Sequence, residues 1–199
     1  MTAPQINVDT VVARWTDPST RPKLWKGKLI GGSGTPSDPI CRCAQGDVLH
    51  FAGWSDEDLR TVDQAKADAA VAKMLGLSIT HSILLRNVND QKDGCPEDVL
   101  RAPEKILGPK AQGVLAFWRH LDRMTDDDWQ AFAKRRAAAR AAARDAARDA
   151  AWAAAWAPAG ACSEIQGADL MRERGKPFFF LPLFGFADPE AVIAAESAS

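Results

Sequence analysis

The sequence predicts a mostly α-helical protein: a compact helical core, one long alanine-rich helix over about residues 126–157, and a short N-terminal strand or hairpin arm. Three observations carry that expectation. Apolar residues recur at three- and four-residue intervals through most of the chain beyond position 37. Caps and stops stand where such helices would begin and end, among them Ser55 with Asp58, Thr125 before three aspartates, and Gly76. No helix breaker interrupts the alanine-rich stretch until Pro158 and Gly160.

Residues 1–36 read as an irregular N-terminal arm. "TDPSTRP" and "GGSGTPSDP" are dense in turn residues, and "KLWKGKLI" (Lys23–Ile30) between them alternates enough for a short strand. Residues 37–199 read as a single helical domain that includes the repeat helix and an aromatic C-terminal segment. Ser37 or Asp38 is placed to cap a helix running through "PICRCAQGDVLHFAG", with Pro39 in its first turn. "SDEDLRTVDQAKADAAVAKMLG" reads as one helix with Leu59, Val62, Ala65, Ala69, Ala72 and Leu75 turned inward. "SITHSILLRNVND" is short and apolar enough to lie centrally, and Arg86–Asp90 at its end suits a cap and turn. "CPEDVLRAPEKILGP" gives one or two turns broken by Pro103 and Pro109, and "KAQGVLAFWRHLDRM" turns Val114, Phe117, Trp118 and Leu121 inward. A last helix is expected over "CSEIQGADLMRERG". The run "FFFLPLFGF", with Phe178, Phe179, Phe180, Phe184 and Phe186, is expected to seal the core.

Bulk properties remove several classes of function. Lys and Arg number 25 against 26 Asp and Glu, a net charge of -1, whereas a protein that coats nucleic acid is usually basic overall. The start "MTAPQINVDT" lacks a basic segment followed by an apolar one, and "PFFFLPLFGFA" is interrupted by Pro182 and Gly185. Neither a secretory leader nor a membrane span is expected. Four cysteines make no disulfide framework in a chain of 199 residues, so a reducing cytoplasm is the expected location.

The repeat supplies the leading functional candidates. Arg136, Arg140, Arg144, Arg148, Trp152 and Trp156 stand four residues apart with alanine filling most of the gaps. Steps of four overshoot a full helical turn by about 40°, so the side chains trace a slow spiral that swings about 200° from Arg136 to Trp156. Alanine makes such a helix intrinsically stable and thin. The segment is therefore a stable repeat with no further role, a partner-binding arm anchored by Arg140, Arg144, Arg148, Trp152 and Trp156, or a nucleic-acid binder through its arginines. Asp145 and Asp149 interrupt the basic spiral and oppose phosphate.

Chemistry elsewhere is sparse. Cys41, Cys43 and His50 are the candidates for a metal, but two thiols two residues apart diverge on a helix, and a fourth ligand would have to come from Cys95 or His81. Cys95 or Cys43 with His81 or His50 could in principle form a nucleophilic pair, although no surrounding signature marks one. Asp47 with Glu57, Asp58 or Asp63 could supply paired carboxylates, yet acids at helix starts usually serve the helix dipole. Gly31–Gly34 lacks the Lys-Ser/Thr ending of a phosphate loop. His120 reads as a surface or half-buried residue. No cofactor is expected.

Four short pieces, "WKGKLIGG", "CRCAQGDVLHFAGW", "LGLS" and "RNVNDQKDGCPEDVL", resemble a group of small proteins from tailed phages and prophages. The resemblance spans Lys26 to about Leu100, and this sequence has CRC where that group would have adjacent cysteines. The Ala/Arg/Trp repeat separately resembles repeats in bacterial immunity-type proteins. Neither resemblance implies a catalytic residue; both imply a mobile-element or inter-microbial setting. The expectation is a non-enzymatic helical factor that binds a protein partner or a second copy of itself, in an immunity, anti-defence or accessory role. The alternatives are nucleic-acid binding by the arginine spiral and a metal- or thiol-dependent enzyme built on Cys41, Cys43 and His50.

Overall fold

Seven consecutive residues, Cys43 to Leu49, are buried, among them the polar Gln45 and Asp47. The computed structural model describes residues 6–156 and 181–198, with backbone alone over 147–156. Its elements are α1 (Val8–Thr16), β1 (Ile30–Gly31), β2 (Cys41–Arg42), α2 (Ala44–Phe51), α3 (Asp56–Thr61), α4 (Gln64–Leu75), α5 (Ile79–Asp90), α6 (Pro96–Arg101), α7 (Glu104–Leu107), α8 (Ala111–Arg123), α9 (Asp126–Trp156), α10 (Leu181–Phe184) and α11 (Pro189–Ser197). The protein is mostly α with one two-stranded antiparallel hairpin, Ile30 opposite Arg42 and Gly31 opposite Cys41. Backbone contacts divide it into two units, Met1–Asp122 and Arg123–Ser199. No single helix among the described residues is long and apolar enough to cross a membrane.

In the first unit α4 packs on α5, α5 on α6 and α6 on α1, while α2 packs on α3, α4 and α5. Helix α2 is wrapped closely enough that a Cβ at Gly46 would lie 2.0 Å from the Leu29 carbonyl oxygen. Only glycine admits that approach of helix to loop. Because water does not reach residues 43–49, the polar side chains there must be satisfied by protein. The Gln45 amide donates to Asp68 Oδ1 at 2.7 Å and to the Ser82 carbonyl at 2.9 Å, and Gln64 donates to Gln45 Oε1 at 2.9 Å. Arg86 pairs with Asp68 at 3.2 Å. Asp47 accepts the Trp15 indole N–H at 2.8 Å and two bonds from the Arg14 guanidinium, at 3.2 and 3.1 Å. Polar bonds thus tie α2 to α1, α4 and α5 in three directions, around an apolar cluster that includes Val11, Trp15, Val48, Leu49, Val71, Leu85 and Val99.

Several local expectations change. Within the arm expected to be irregular, Val8–Thr16 form a helix: Asn7 and Thr10 make a reciprocal capping box, and Val11, Val12 and Trp15 are buried. The helix expected from Pro39 begins only at Ala44, because the backbone of residues 41–43 is already paired. Trp25 N–H donates to the Arg42 carbonyl at 2.7 Å and Cys43 N–H to that of Leu29 at 3.1 Å. The helix expected over 56–75 is two helices, since Asp63 takes an extended conformation and caps α4 by accepting from Lys66 N–H. That break shifts the inward stripe to Ala67, Asp68, Val71, Ala72 and Leu75, leaving Ala65 and Ala69 exposed. In α8 Phe117 is buried as expected, but Leu115 and Ala116 join it while Val114, Trp118 and Leu121 are half-buried. The Ser55–Asp58 capping box and the end of α4 at Gly76 stand where the sequence placed them.

In the second unit Thr125 caps α9 reciprocally with Asp128. Phe184 stacks on Phe132 with ring centroids 4.5 Å apart, Trp129 meets Phe132 edge-on at 5.8 Å, and Arg135 Nε donates to the Leu183 carbonyl at 2.7 Å. The base of α9 is held by α10 in this way. Leu181 and Val192 are buried, and Arg123 pairs with Glu196. The expected helix after Cys162 and the residues Phe178, Phe179 and Phe180 lie outside the described residues.

Replacing Asp68 with alanine removes one acceptor from each of Gln45 and Gln64 and the ion-pair partner of Arg86, so it is expected to cost about 3 kcal/mol of stability. Urea denaturation measures this, with Asp68→Asn, which keeps an acceptor for Gln45 and Gln64, losing less.

Candidate functional site

The residues proposed for chemistry are placed apart. Cys41 lies in β2, Cys43 is the N-cap of α2, and His50 lies near the other end of that helix, about 10 Å further along its axis. The Cys43 thiol accepts from Gly46 N–H at 3.4 Å, and burial pushes its pKa up, which keeps it protonated. Burial likewise raises the Cys95 thiol at the N-cap of α6. Activated thiols need the opposite shift. His50 Nδ1 lies 3.0 Å from the Trp54 carbonyl and 3.9 Å from Asp56, whose carboxyl is held low chiefly by its bond to Arg42. Among the described residues no three His, Cys, Asp or Glu side chains gather where a metal ion could sit.

The carboxylates are similarly occupied. Asp47 is taken by Arg14 and Trp15. Asp58 serves the Ser55 cap and Asp63 the start of α4. His81 is buried, with Nε2 2.9 Å from the Val99 carbonyl and its ring 6.3 Å from Trp118. His120 is half-buried at the end of α8.

Two surfaces stand out among the described residues. The first is the middle of α9, where every residue from 133 to 146 is exposed. Lys134, Arg135, Arg136, Arg140 and Arg144 against Asp145 leave four net positive charges there. Arg140 and Arg144 thus lie on a helix exposed all round; the side chains of Arg148, Trp152 and Trp156 lie outside the described ones. The second surface is a groove of about 560 Å³ in the first unit, lined by Trp25, Lys26, Gly27, Lys28, Gly31 and Arg60 among others. Its floor is held firmly. Asn89 Nδ2 donates to the Trp25 carbonyl at 2.7 Å, Gly27 N–H donates to Asp90 Oδ1 at 2.9 Å, and Lys26 Nζ donates to the carbonyls of Gln91 and Lys92. Arg60 donates to the Gly32 carbonyl at 2.8 Å.

Sequence reasoning missed that groove. It treated "KLWKGKLI" as a strand and the glycines as a connector, and the available signal was a tryptophan between lysines just ahead of a glycine pair.

The pKa of His81 is lowered by burial, against which its bond to Val99 works. The folded state therefore binds this proton less readily than the unfolded chain does. Stability is full above the ordinary value of 6.5 and falls as the pH drops through the window below it, because the unfolded chain then takes the proton first. Thermal melting between neutral and mildly acidic pH is expected to show this decline, and His81→Gln is expected to flatten it. No family model, curated protein or solved structure matches the chain.

Proposed function

We propose that the protein is a non-enzymatic binding factor whose contact surface is the exposed part of α9, with a protein of acidic surface as its partner. The single observation that supports this most is the exposure of residues 133–146 on every side. Of the arginines in these fourteen exposed residues, Arg135 holds the Leu183 carbonyl, whereas Arg136, Arg140 and Arg144 are available for contact. A thin alanine background lets another chain approach closely, and arginine is a frequent interface anchor.

Charge selects among occupants. Two copies of this stretch would bring four net positive charges against four, which disfavours self-pairing through it. Nucleic acid would meet the arginines at 136, 140 and 144 as a spiral turning about 80°, followed directly by the carboxylate of Asp145. A protein surface of mostly negative but mixed sign accommodates that pattern better. Trp152 and Trp156 extend the same surface by sequence. The role this fits is an immunity, anti-defence or accessory function of a phage or other mobile element, carried out in the cytoplasm.

Affinity capture from lysate of the cells that make the chain naturally tests the reading. A stoichiometric protein partner is expected with the native chain, weakened about tenfold or more by Arg140→Glu with Arg144→Glu. Glutamate keeps the helix favourable, so circular dichroism should be unchanged. Trp152→Ala with Trp156→Ala is expected to weaken the same complex. Capture unaffected by all four changes, or retention on DNA at low salt that the glutamates abolish, would overturn it.

A further inference from the structure

Trp25 differs from the buried Trp15 in what its indole does. Trp15 is 1% exposed and spends its indole N–H on Asp47, whereas Trp25 is 44% exposed and its indole N–H has no partner among the described residues. The exposure does not come from loose backbone: Trp25 is held through its own N–H and carbonyl, and Lys26 and Gly27 are fastened to the end of α5. One edge of the indole rests on Gly31, where a Cβ would lie only 3.0 Å from Cε2 and Nε1. The ring is thus seated on backbone and forms part of a groove wall.

The rest of the groove is cationic. Lys26, Lys28 and Arg60 line it, and none of its described lining residues is acidic. Lys28 has no ion-pair partner among the described residues, while Arg60 is steadied by the Gly32 carbonyl. A volume of about 560 Å³ suits a small molecule or a short length of chain.

We infer that this groove binds a nucleotide-type ligand, with the base stacked on Trp25 and its phosphate between Lys28 and Arg60. A cation is excluded by the three positive side chains. A neutral aromatic ligand would leave Lys28 unused, and an isolated phosphate would leave Trp25 unused. A ring joined to a phosphate satisfies both, since stacking on tryptophan and an electrostatic contact to the backbone phosphate are the two parts of sequence-tolerant base binding. Free nucleotides and single-stranded nucleic acid share this chemistry. The site uses none of the residues of α9 and stands apart from the binding role proposed above.

Isothermal titration calorimetry on the full chain decides the matter, with AMP, adenosine, inorganic phosphate and an oligodeoxythymidine of about 12 nucleotides as probes. AMP or the oligonucleotide is expected to bind about tenfold or more tightly than adenosine or phosphate alone, and each of Trp25→Ala and Lys28→Glu is expected to weaken it about tenfold. Trp25→Phe, which keeps a stacking face, should retain most of the affinity. Tighter binding of the oligonucleotide than of AMP assigns the site to single strands, and equal binding assigns it to the free nucleotide; either result supports the site. If Trp25→Ala unfolds the chain, Lys28→Glu and Trp25→Phe carry the comparison. No binding of AMP or oligonucleotide at millimolar concentration, or binding that survives Lys28→Glu unchanged, overturns it.

Discussion

Burial of the stretch Cys43–Leu49, most of α2, is the constraint from which the first unit follows. A helix whose residues Cys43 to Leu49 see no water cannot leave Gln45 or Asp47 unpaired, because an unsatisfied buried amide or carboxylate costs several kcal/mol. The pairs that satisfy them are also what fix the neighbours. Asp47 requires Arg14 and Trp15, which sets the placement of α1; Gln45 requires Asp68 and Ser82, which sets α4 against α5. At its N-terminus Ala44 N–H finds Asn89 Oδ1. The same asparagine gives its amide to the Trp25 carbonyl, so the polar core reaches through one side chain to the groove.

This coupling occupies the buried polar groups of the first unit. The cysteines, His81, Asp47 and Asp68 look reactive in a sequence because they are the residue types that catalysis uses. In the structure Cys43, His81, Asp47 and Asp68 are buried as a helix cap, a hydrogen-bonded ring and two ion-paired carboxylates, with the Cys43 thiol held protonated and the imidazole held neutral. Among the described residues the outward-facing candidates are of another kind: arginines on an exposed helix, and a tryptophan among lysines.

Local signals in the sequence carried the fold class, the length of α9, the Ser55 and Thr125 caps and the stop at Gly76, because each depends on neighbours a few residues away. What failed depends on distant partners. Pro39 near Ser37 resembles a helix start, yet strand pairing with residues 24–31 claims the backbone of 41–43. Val62 fits a continuous stripe, yet Asp63 takes the cap and resets the phase. Helix α1 had legible signals in Asn7, Thr10, Val11 and Trp15 that the neighbouring turn residues obscured. For the candidate sites, the exposure of Arg140 and Arg144 follows from the repeat, whereas the groove at Trp25 depends on bonds to residues more than sixty positions away and left only a weak local trace.

Native-state hydrogen exchange tests the central place of α2 most directly, since it reads the opening free energy of each amide. Amides of Val48 to Phe51 are expected to exchange only through global unfolding of the first unit and to be among its slowest, with α4 and α5 opening no later. Exchange of α2 through local opening while α4 and α5 stay protected would contradict it, and would mean that the surrounding helices hold together without the buried polar hub.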